Sequence, residues 1–184
     1  MIDKTETGTI DKKQQPLKRG AGTLLPVASL PSKYGIGTFG KAAFDFIDFL
    51  RDSKQKYWQV LPVGPTGYGD SPYQSFSAFA GNPYFIDLEI LTEEGLIERE
   101  DADSVNWGDS PACIDYEKIY KERFRVLRKA FSNSRHMKDQ KYKDFCEKNS
   151  FWLGDYSLYM AVKEHFGGIE WLRWPDDIRL RKPE

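Results

Sequence analysis

Chemically reactive side chains are scarce in this 184-residue chain. It contains two cysteines, Cys113 and Cys146, and two histidines, His136 and His165. Neither residue type recurs at the short spacing of a zinc site, and nothing indicates a Ser-His-Asp arrangement. We therefore expect free thiols, as in a reducing compartment, and we predict neither a metal site nor a cofactor.

Net charge and long apolar runs are lacking as well. The 27 Lys and Arg residues nearly balance the 28 Asp and Glu residues, so the formal net charge is −1. Such a balance provides no attraction for nucleic acid or for an anionic membrane. The sequence has no apolar run of about 18 residues that could span a bilayer, and Met1–Lys18 lacks the apolar core of a secretory signal. We expect a cytoplasmic protein in which residues 1–18 form a flexible N-terminal tail.

The most unusual segment that is present is an aromatic loop, Gly64–Pro83, with four glycines and three prolines and no regular period. Long loops of this kind inside compact domains are usually functional or disordered. Disorder does not fit, because disordered segments are depleted in aromatic residues. Rings beside hydroxyl and amide groups suit a ligand with apolar C–H faces and hydroxyl edges, such as a sugar. A surface loop that is held by its own aromatic rings explains the composition equally well.

A strand–helix–strand pattern precedes the loop. Short apolar runs at Gly22–Leu25 and Tyr57–Val63 predict two strands, the second of them buried on both sides. Between them, helical spacing predicts a helix over Lys41–Asp52, with Phe46 and Ile47 on its apolar face. This length is typical of a βαβ unit, in which the two strands are parallel neighbours. The aromatic loop would then leave their carboxyl ends, where α/β proteins bind ligands.

The second half of the chain is predicted to be mainly helical. The predicted segments are a short helix at Leu91–Ile97, a loop at Asp101–Ala112, and helices at Tyr116–Phe131 and Asp139–His165. Thr92 is the expected N-cap of the first helix. The helix at Tyr116–Phe131 has apolar residues on one face and Lys and Arg on the other. The last is expected to break near Asn149 or Gly154.

Two further motifs carry weaker functional signals. Gly35, Gly37 and Gly40 have the spacing of a dinucleotide-binding fingerprint, but about nine residues separate them from the preceding strand, whereas the fingerprint turn follows its strand directly. We therefore do not predict nucleotide binding. Trp171 and Trp174 are interpreted as packing anchors in preference to sugar-stacking platforms.

Several short motifs occur in a fixed order from Gly20 to Pro175. They are Gly20–Leu25, Ser29–Gly37, Tyr57–Pro62 running through the loop to Tyr84, Ile114–Tyr116 with Tyr120, Phe151–Leu153 with Asp155 and Tyr156, Gly167–Trp171, and Trp174 with Pro175. In this order they resemble the opening of the amylomaltases, the 4-α-glucanotransferases of glycoside hydrolase family 77. The resemblance covers residues 18–184. One departure is Pro26-Val27-Ala28, where many members of the family carry a His-Pro-Thr/Ser run.

The resemblance implies an α/β fold, in which this chain supplies the N-terminal part of a (β/α)₈ TIM barrel. A closed barrel takes about 250 residues, so we expect the chain to be the N-terminal portion of a longer enzyme. Residues 19–184 would then hold the first two strands, the substrate loop at 64–83 and a helical insertion at about 90–170. The remainder of the barrel is the expected partner.

The resemblance also implies an activity, the transfer of α-1,4-glucan segments to glucose or another glucan by a retaining mechanism, with maltooligosaccharides as substrates. The catalytic carboxylates of the family come from later barrel strands and nothing here matches them, so we assign no catalytic residue and expect this chain alone to be inactive. By their positions in the loop motif, Ser71 and Tyr73 are implied substrate contacts. Tyr68 and Tyr120 are implied to form a second glucan-binding site. Asp70 either binds sugar hydroxyls or caps the turn.

Two alternatives of different classes stay open at this stage. One is a non-catalytic α-glucan-binding fragment in which the aromatic loop acts alone. The other is a protein-interaction fragment whose exposed aromatic residues meet a partner. The predicted strand at Tyr57–Val63 argues against a self-contained module, because a strand of this kind belongs inside a larger sheet.

Overall fold

A computed structural model describes residues 18–182, which form a small sheet followed mainly by helices. The tail predicted for residues 1–18 lies outside the described residues except for Lys18. The elements in chain order are β1 (Gly22–Leu24), α1 (Lys41–Asp52), β2 (Tyr57–Gln59), α2 (Leu88–Glu93), α3 (Arg99–Asp103), α4 (Tyr116–Asn133), α5 (Gln140–Lys148), α6 (Ser150–His165) and α7 (Asp176–Arg179). None of the described helices combines the length and hydropathy needed to cross a bilayer.

The two strands pair in parallel, which confirms the predicted βαβ arrangement. Gly22 lies opposite Tyr57 and Leu24 lies opposite Gln59. The N–H of Leu25 also donates to the Gln59 carbonyl at 3.0 Å, so the ladder continues one residue beyond β1. A Cβ atom on Gly22 would lie 2.7 Å from the Tyr57 carbonyl oxygen. Glycine at this position therefore allows the strands to approach.

The second strand is shorter and more exposed than the sequence predicted. β2 ends at Gln59 and not at Val63, and the prediction that it is buried on both sides is wrong. Both strands are edge strands of the described two-stranded sheet, so little of either is enclosed. The helix α1 packs beside Trp58, whose ring lies 5.0 Å from that of Phe46. Ile47, assigned to the apolar face of α1, is exposed.

The larger hydrophobic core lies among the helices of the second half. It combines residues of α2, α3 and α4 with residues of the segments that precede α1, α2, α3 and α4: Tyr34, Ile36, Tyr84, Leu88, Ile97, Ala102, Trp107, Ile119, Val126 and Ala130. A smaller cluster of Val27, Leu30 and Ala43 lies between α1 and the residues that follow β1. Because Tyr84 comes directly after the aromatic loop, the end of that loop is anchored in the larger core.

The start of α2 corrects the sequence-based assignment. The helix begins at Leu88, and its N-cap is Asp87, not Thr92. The Asp87 carboxylate accepts two backbone N–H groups of the first turn, at 2.9 and 3.0 Å. Thr92 lies inside the helix and donates its hydroxyl to the Leu88 carbonyl. A carboxylate that precedes the first turn satisfies otherwise unpaired donors, which explains the earlier start.

The remaining helices follow the predictions except that the short helices α3 and α7 were not predicted. α4 extends two residues beyond the predicted Tyr116–Phe131, to Asn133. The loop predicted at Asp101–Ala112 begins inside α3, where Glu98 and Asp101 form a reciprocal capping box that the sequence analysis missed. α5 and α6 meet at Asn149, one of the two predicted break positions, whereas Gly154 lies within α6.

One residue of α4 contradicts the prediction that its Lys and Arg residues face solvent. Arg123 is 0 % exposed, and its guanidinium donates to the carbonyls of Tyr34 and Ile86 and lies 5.8 Å from the Trp107 ring. Burial lowers the pKa of Arg123 to about 10. Among the described residues, its Nε has no hydrogen-bond partner. Arg123 therefore ties the segments before α1 and α2 to α4.

Candidate functional site

Two hollows are formed by residues that follow the strands, and residues of the aromatic loop contribute to both. Residues that follow β1 and β2 line the inner one, and only residues that follow β2 line the outer one. The inner cavity has a volume of about 170 Å³, and its walls include Pro26–Ser29, Leu61–Val63, Asp70, Tyr84 and Tyr116. The outer groove is open, has a volume of about 670 Å³, and is lined by Pro62–Gly64, Pro72, Tyr73 and Ser75–Gly81. The sequence predicted a ligand site among residues that follow the carboxyl ends of a parallel pair.

Hydrogen bonds close the aromatic loop into a defined shape. The N–H of Asn82 donates to the Val63 carbonyl at 2.8 Å and thereby joins the two ends of the loop. Within it, Thr66 and Ser75 form an antiparallel bridge. The side chain of Asn82 accepts the N–H of Tyr84 at 3.0 Å and caps the turn that follows. Asn82 was expected only to be one of the polar groups of the loop, although Asn followed by Pro is also a turn signal.

Asp70 takes part in the turn at the tip of the loop. It has a φ of 52°, in the left-handed region that Asp tolerates better than most residues, next to Gly69 with a φ of 88°. Its carboxylate accepts the Thr66 hydroxyl at 3.3 Å, and its N–H donates to the Gly67 carbonyl at 3.1 Å. Of the two interpretations of Asp70, turn formation is therefore supported by direct contacts. Sugar binding by Asp70 stays a prediction.

Three ionisable side chains surround the inner cavity. Burial raises the pKa of the Asp70 carboxyl group, and the hydrogen bond from Thr66 opposes this only in part. Burial, followed by the negative charge of Asp70, raises the pKa of Tyr84 to about 12. The same two causes raise the pKa of Tyr116. The cavity therefore combines protonated tyrosine hydroxyls with apolar walls, which suits a neutral ligand that carries hydroxyl groups.

The predicted substrate contacts do not all share one hollow. Tyr73 is largely exposed and lines the outer groove, whereas Asp70 lines the inner cavity. Ser71 lies between them in sequence and is half-buried, and its carbonyl accepts the Gln74 N–H at 3.1 Å. The loop thus presents Asp70 and Tyr73 to two different environments.

The two tyrosines of the predicted second site are both on the surface. Tyr68 is fully exposed at the tip of the loop, and Tyr120 is exposed on α4. The ring of Tyr120 contacts Phe124, with 6.5 Å between centroids, and no ring contact joins it to Tyr68 among the described residues. A Cβ atom on Gly168 would lie 3.6 Å from the Tyr120 hydroxyl, so the Gly167-Gly168 motif lies beside this ring.

The two phenylalanines of the loop pack against α6. Phe76 is stacked on Tyr156, with 6.5 Å between ring centroids and 16° between planes, and it also contacts Tyr159. Phe79 is stacked on Trp152, at 5.7 Å and 21°, and meets the ring of Phe151 edge-on. The interpretation of a loop held by aromatic packing is therefore correct for these two rings. Trp152 and Tyr156 were recognised from the sequence only as motif residues of the family, and nothing in the sequence near them indicates that they pack on the loop.

The glycines of the dinucleotide-like motif serve packing. A Cβ atom on Gly37 would lie 2.1 Å from the Val27 carbonyl oxygen, and one on Gly40 would lie 2.0 Å from Oδ2 of Asp87. Gly35 has a φ of 77°, which most other residues avoid. These positions are surrounded by the protein itself, so the absence of a Cβ is used for packing.

The two tryptophans near the end of the described residues differ in environment. Trp174 is buried, with its ring 5.4 Å from Tyr159 and 6.1 Å from Phe166. This agrees with a packing anchor. Trp171, in contrast, is partly exposed. Among residues 18–182, no cluster of three or more His, Cys, Asp or Glu side chains has the arrangement of a metal site.

Comparisons with known proteins agree on one family. The family model for the 4-alpha-glucanotransferases of glycoside hydrolase family 77 matches residues 25–184. A 4-alpha-glucanotransferase of Clostridium butyricum is 54% identical over 86% of this chain and 32% of its own length. One from Streptococcus pneumoniae is 51% identical over 90% of this chain and 33% of its own length.

A solved structure is similar as well. It is described as an amylomaltase from Streptococcus agalactiae in complex with acarbose, and it is 42% identical with a TM-score of 0.83. The match covers 90% of this chain and 34% of that one. The chain thus spans about a third of the length of these relatives.

Proposed function

The chain belongs to the 4-alpha-glucanotransferase family, and from this membership we propose that it forms a substrate-binding part of an enzyme that transfers α-1,4-glucan segments to glucose or to another glucan. The observation that carries the proposal is the outer groove, where the exposed ring of Tyr73 lies among loop hydroxyls in the segment that follows β2. A ring supplies a surface for the C–H face of a sugar, and the hydroxyls supply partners for its edge.

The proposed architecture is the N-terminal part of a (β/α)₈ barrel. In this proposal, residues 19–184 hold the first two barrel strands, the substrate loop at 64–83 and a helical insertion at about 90–170. The parallel pairing of β1 with β2 supports it, as does the position of the loop after β2. Barrels place their binding loops at the carboxyl ends of the strands. The remaining barrel strands would belong to the complete protein that contains this chain.

The proposed roles of the loop residues follow from their positions. Tyr73 and Ser71 contact the glucan at the donor side of the groove, and Asp70 binds sugar hydroxyls from the adjoining inner cavity. Tyr68 and Tyr120 hold glucan at a second site, which the exposure of both rings supports. The substrates in this proposal are maltooligosaccharides and longer α-1,4-glucans. The two free cysteines, Cys113 and Cys146, support the cytoplasm as the proposed location.

The reaction needs a pair of carboxyl groups that the described residues lining the two hollows do not present. A retaining mechanism uses two carboxyl groups about 5 Å apart, one as nucleophile and the other as acid and base. Among the described residues that line the two hollows, Asp70 is the only carboxylate, and it is bound to Thr66. We therefore assign substrate binding to this chain and assign the catalytic carboxylates to other parts of the complete protein.

The test is incubation of the complete protein with maltotriose, followed by separation of the products. The expected products are glucose and a series of longer α-1,4-glucans, because a transferase passes the bound segment to a sugar instead of water. Glucose and maltose without longer chains would show a hydrolase. The absence of any product would overturn the proposed activity.

A further inference from the structure

We propose that α6 positions the substrate loop, so that Trp152 and Tyr156 act as positioning residues for the glucan bound in the outer groove. Neither residue lines the groove. They act through Phe79 and Phe76, which do line it together with Tyr73. The inference rests on the proposed function, because it takes the groove as the glucan site.

The contacts form a chain of four rings, in which Phe79 and Phe76 are the two ends and Trp152 and Tyr156 are the middle. Phe79 stacks on Trp152 at 5.7 Å, and Phe76 stacks on Tyr156 at 6.5 Å. On α6, the rings of Trp152 and Tyr156 are themselves 5.8 Å apart. Residues one helical turn apart on α6 thus hold two positions of the loop on either side of Ser77. Such a double attachment restricts both the position of this part of the loop and its rotation.

The orientation of Trp152 is itself determined by the junction between α5 and α6. The indole N–H of Trp152 donates to Oδ1 of Asn149 at 2.9 Å. The amide nitrogen of Asn149 in turn donates to the Phe145 carbonyl of α5 at 2.8 Å. The ring that supports Phe79 is therefore held by a hydrogen bond as well as by packing. A hydrogen bond to a side chain of the junction fixes the plane on which Phe79 lies.

Residues 75–80 of the loop have few other contacts with distant parts of the chain. The side-chain hydrogen bonds of Ser75 and Ser77 reach only within residues 75–80, to the Ser77 carbonyl and to the N–H groups of Phe79 and Ala80. They shape the turn but do not attach it to the rest of the protein. The rings on α6 supply that attachment. Loss of these rings should therefore change where Tyr73 meets the sugar without removing Tyr73.

The experiment compares Trp152→Leu and Tyr156→Leu in the complete protein with maltotriose as substrate. We expect each change to raise KM about 3- to 10-fold and to leave kcat within about twofold, because an aromatic pair contributes a modest binding term. Tyr156→Phe keeps the ring and should keep the KM of the wild type. Leu158→Ala changes an exposed residue of the same helix that makes none of these ring contacts, and should also behave as the wild type.

A purely structural role would give a different result. Loss of folded protein lowers kcat per total protein and leaves KM unchanged, and this outcome would overturn the inference. If Trp152→Leu does not fold, Tyr156→Leu still tests the other ring contact. A double-mutant cycle adds a second criterion: the effects of Trp152→Leu and Phe79→Leu on KM should be non-additive, and additive effects would contradict a connection through Phe79. Failure of the proposed function appears separately, as the absence of transfer by the wild type.

Discussion

At the scale of single residues, the loop has two proposed roles. Tyr73 is assigned to substrate binding in the outer groove, and Tyr68 is assigned to the second glucan-binding site. Tyr73 lines the outer groove, and Tyr68 is fully exposed at the tip. In the complete protein, we expect Tyr73→Ala to weaken the use of maltotriose by about 1–3 kcal/mol, since a stacked ring and a hydroxyl are lost. Tyr68→Ala should spare maltotriose and alter the kinetics with long glucans. KM and kcat for maltotriose and for amylose measure both effects.

Tyr73→Phe is the matched control for that comparison, because it keeps the ring and removes only the hydroxyl. Its effect should be smaller than that of Tyr73→Ala. If Tyr73→Ala and Tyr68→Ala change maltotriose turnover equally, the assignment of the two tyrosines to separate sites is wrong.

Arg123 is expected to be the most sensitive charged residue for stability. It is 0 % exposed, and its guanidinium bonds to two backbone carbonyls. Arg123→Ala leaves these carbonyls without a donor and opens a cavity, so we expect the free energy of unfolding to fall by about 3–5 kcal/mol. Urea unfolding measures the change. Arg125→Ala is the control on the same helix, since Arg125 forms an exposed ion pair with Glu122, and an equal effect of both changes would contradict the prediction.

Tyr84 should make stability depend on alkaline pH. Burial raises its pKa from 10.0 to about 12 in the folded protein, so the unfolded chain loses the proton first and stability falls as the pH rises through this window. The stabilising contribution is complete below about pH 10, and about 1.4 kcal/mol of it should be lost by about pH 11. Tyr84→Phe keeps the ring in the core and should show a shallower decline. Urea midpoints between about pH 9 and about pH 11 test this, and equal slopes for the two proteins would contradict it.

At the scale of elements, the segment between β1 and α1 depends on close backbone packing. Gly37 donates its N–H to the Ala28 carbonyl, and a Cβ there would lie 2.1 Å from the Val27 carbonyl oxygen. Backbone atoms cannot move aside as a flexible side chain can. We therefore expect Gly37→Ala to lower the free energy of unfolding by about 3 kcal/mol.

Gly81 provides the matched control for this substitution. A Cβ on Gly81 would meet nothing within 4 Å, so Gly81→Ala should be neutral or slightly stabilising. Thermal unfolding of both variants measures the difference. If the two variants have the same midpoint as the wild type, the close approach at Gly37 has been overestimated.

At the scale of the whole molecule, apolar side chains remain open on the sheet and on α1. Leu24, Phe44 and Phe49 are all more than half exposed, at 55%, 63% and 59%. Large exposed apolar areas usually mark surfaces that meet another part of a protein. In the proposed barrel, these residues would contact later strands and helices of the complete protein.

The activity of the 184-residue chain alone follows from the carboxylates that its hollows present. Asp70 is the only carboxylate among the described residues that line the two hollows, so these hollows do not present the pair that a retaining transfer requires. We expect no disproportionation of maltotriose by purified residues 1–184, and at most weak glucan binding. Chromatography of the products against the complete protein measures this. Glucose together with longer glucans, formed at an enzymatic rate by this chain alone, would show that the carboxylates have been misplaced.

Local patterns in the sequence determined much of the fold. Helical spacing located α1 and α4 to within two residues, and the length of the crossover predicted the parallel pairing of β1 with β2. The composition of residues 64–83 predicted a long structured loop. These features depend on neighbouring residues and on backbone geometry, which the sequence states directly. The order of its motifs also indicated the family that the comparisons confirm.

Contacts between distant residues decided the rest. No residue near Arg123 in the sequence shows that its guanidinium is buried and donates to the carbonyls of Tyr34 and Ile86. The division of Asp70 and Tyr73 between two hollows likewise depends on segments that are far apart in the chain. The same holds for the packing of Phe76 and Phe79 on α6. Burial and ring packing are properties of the assembled surfaces, so only the tertiary structure shows which aromatic residues support the loop and which remain free for a ligand.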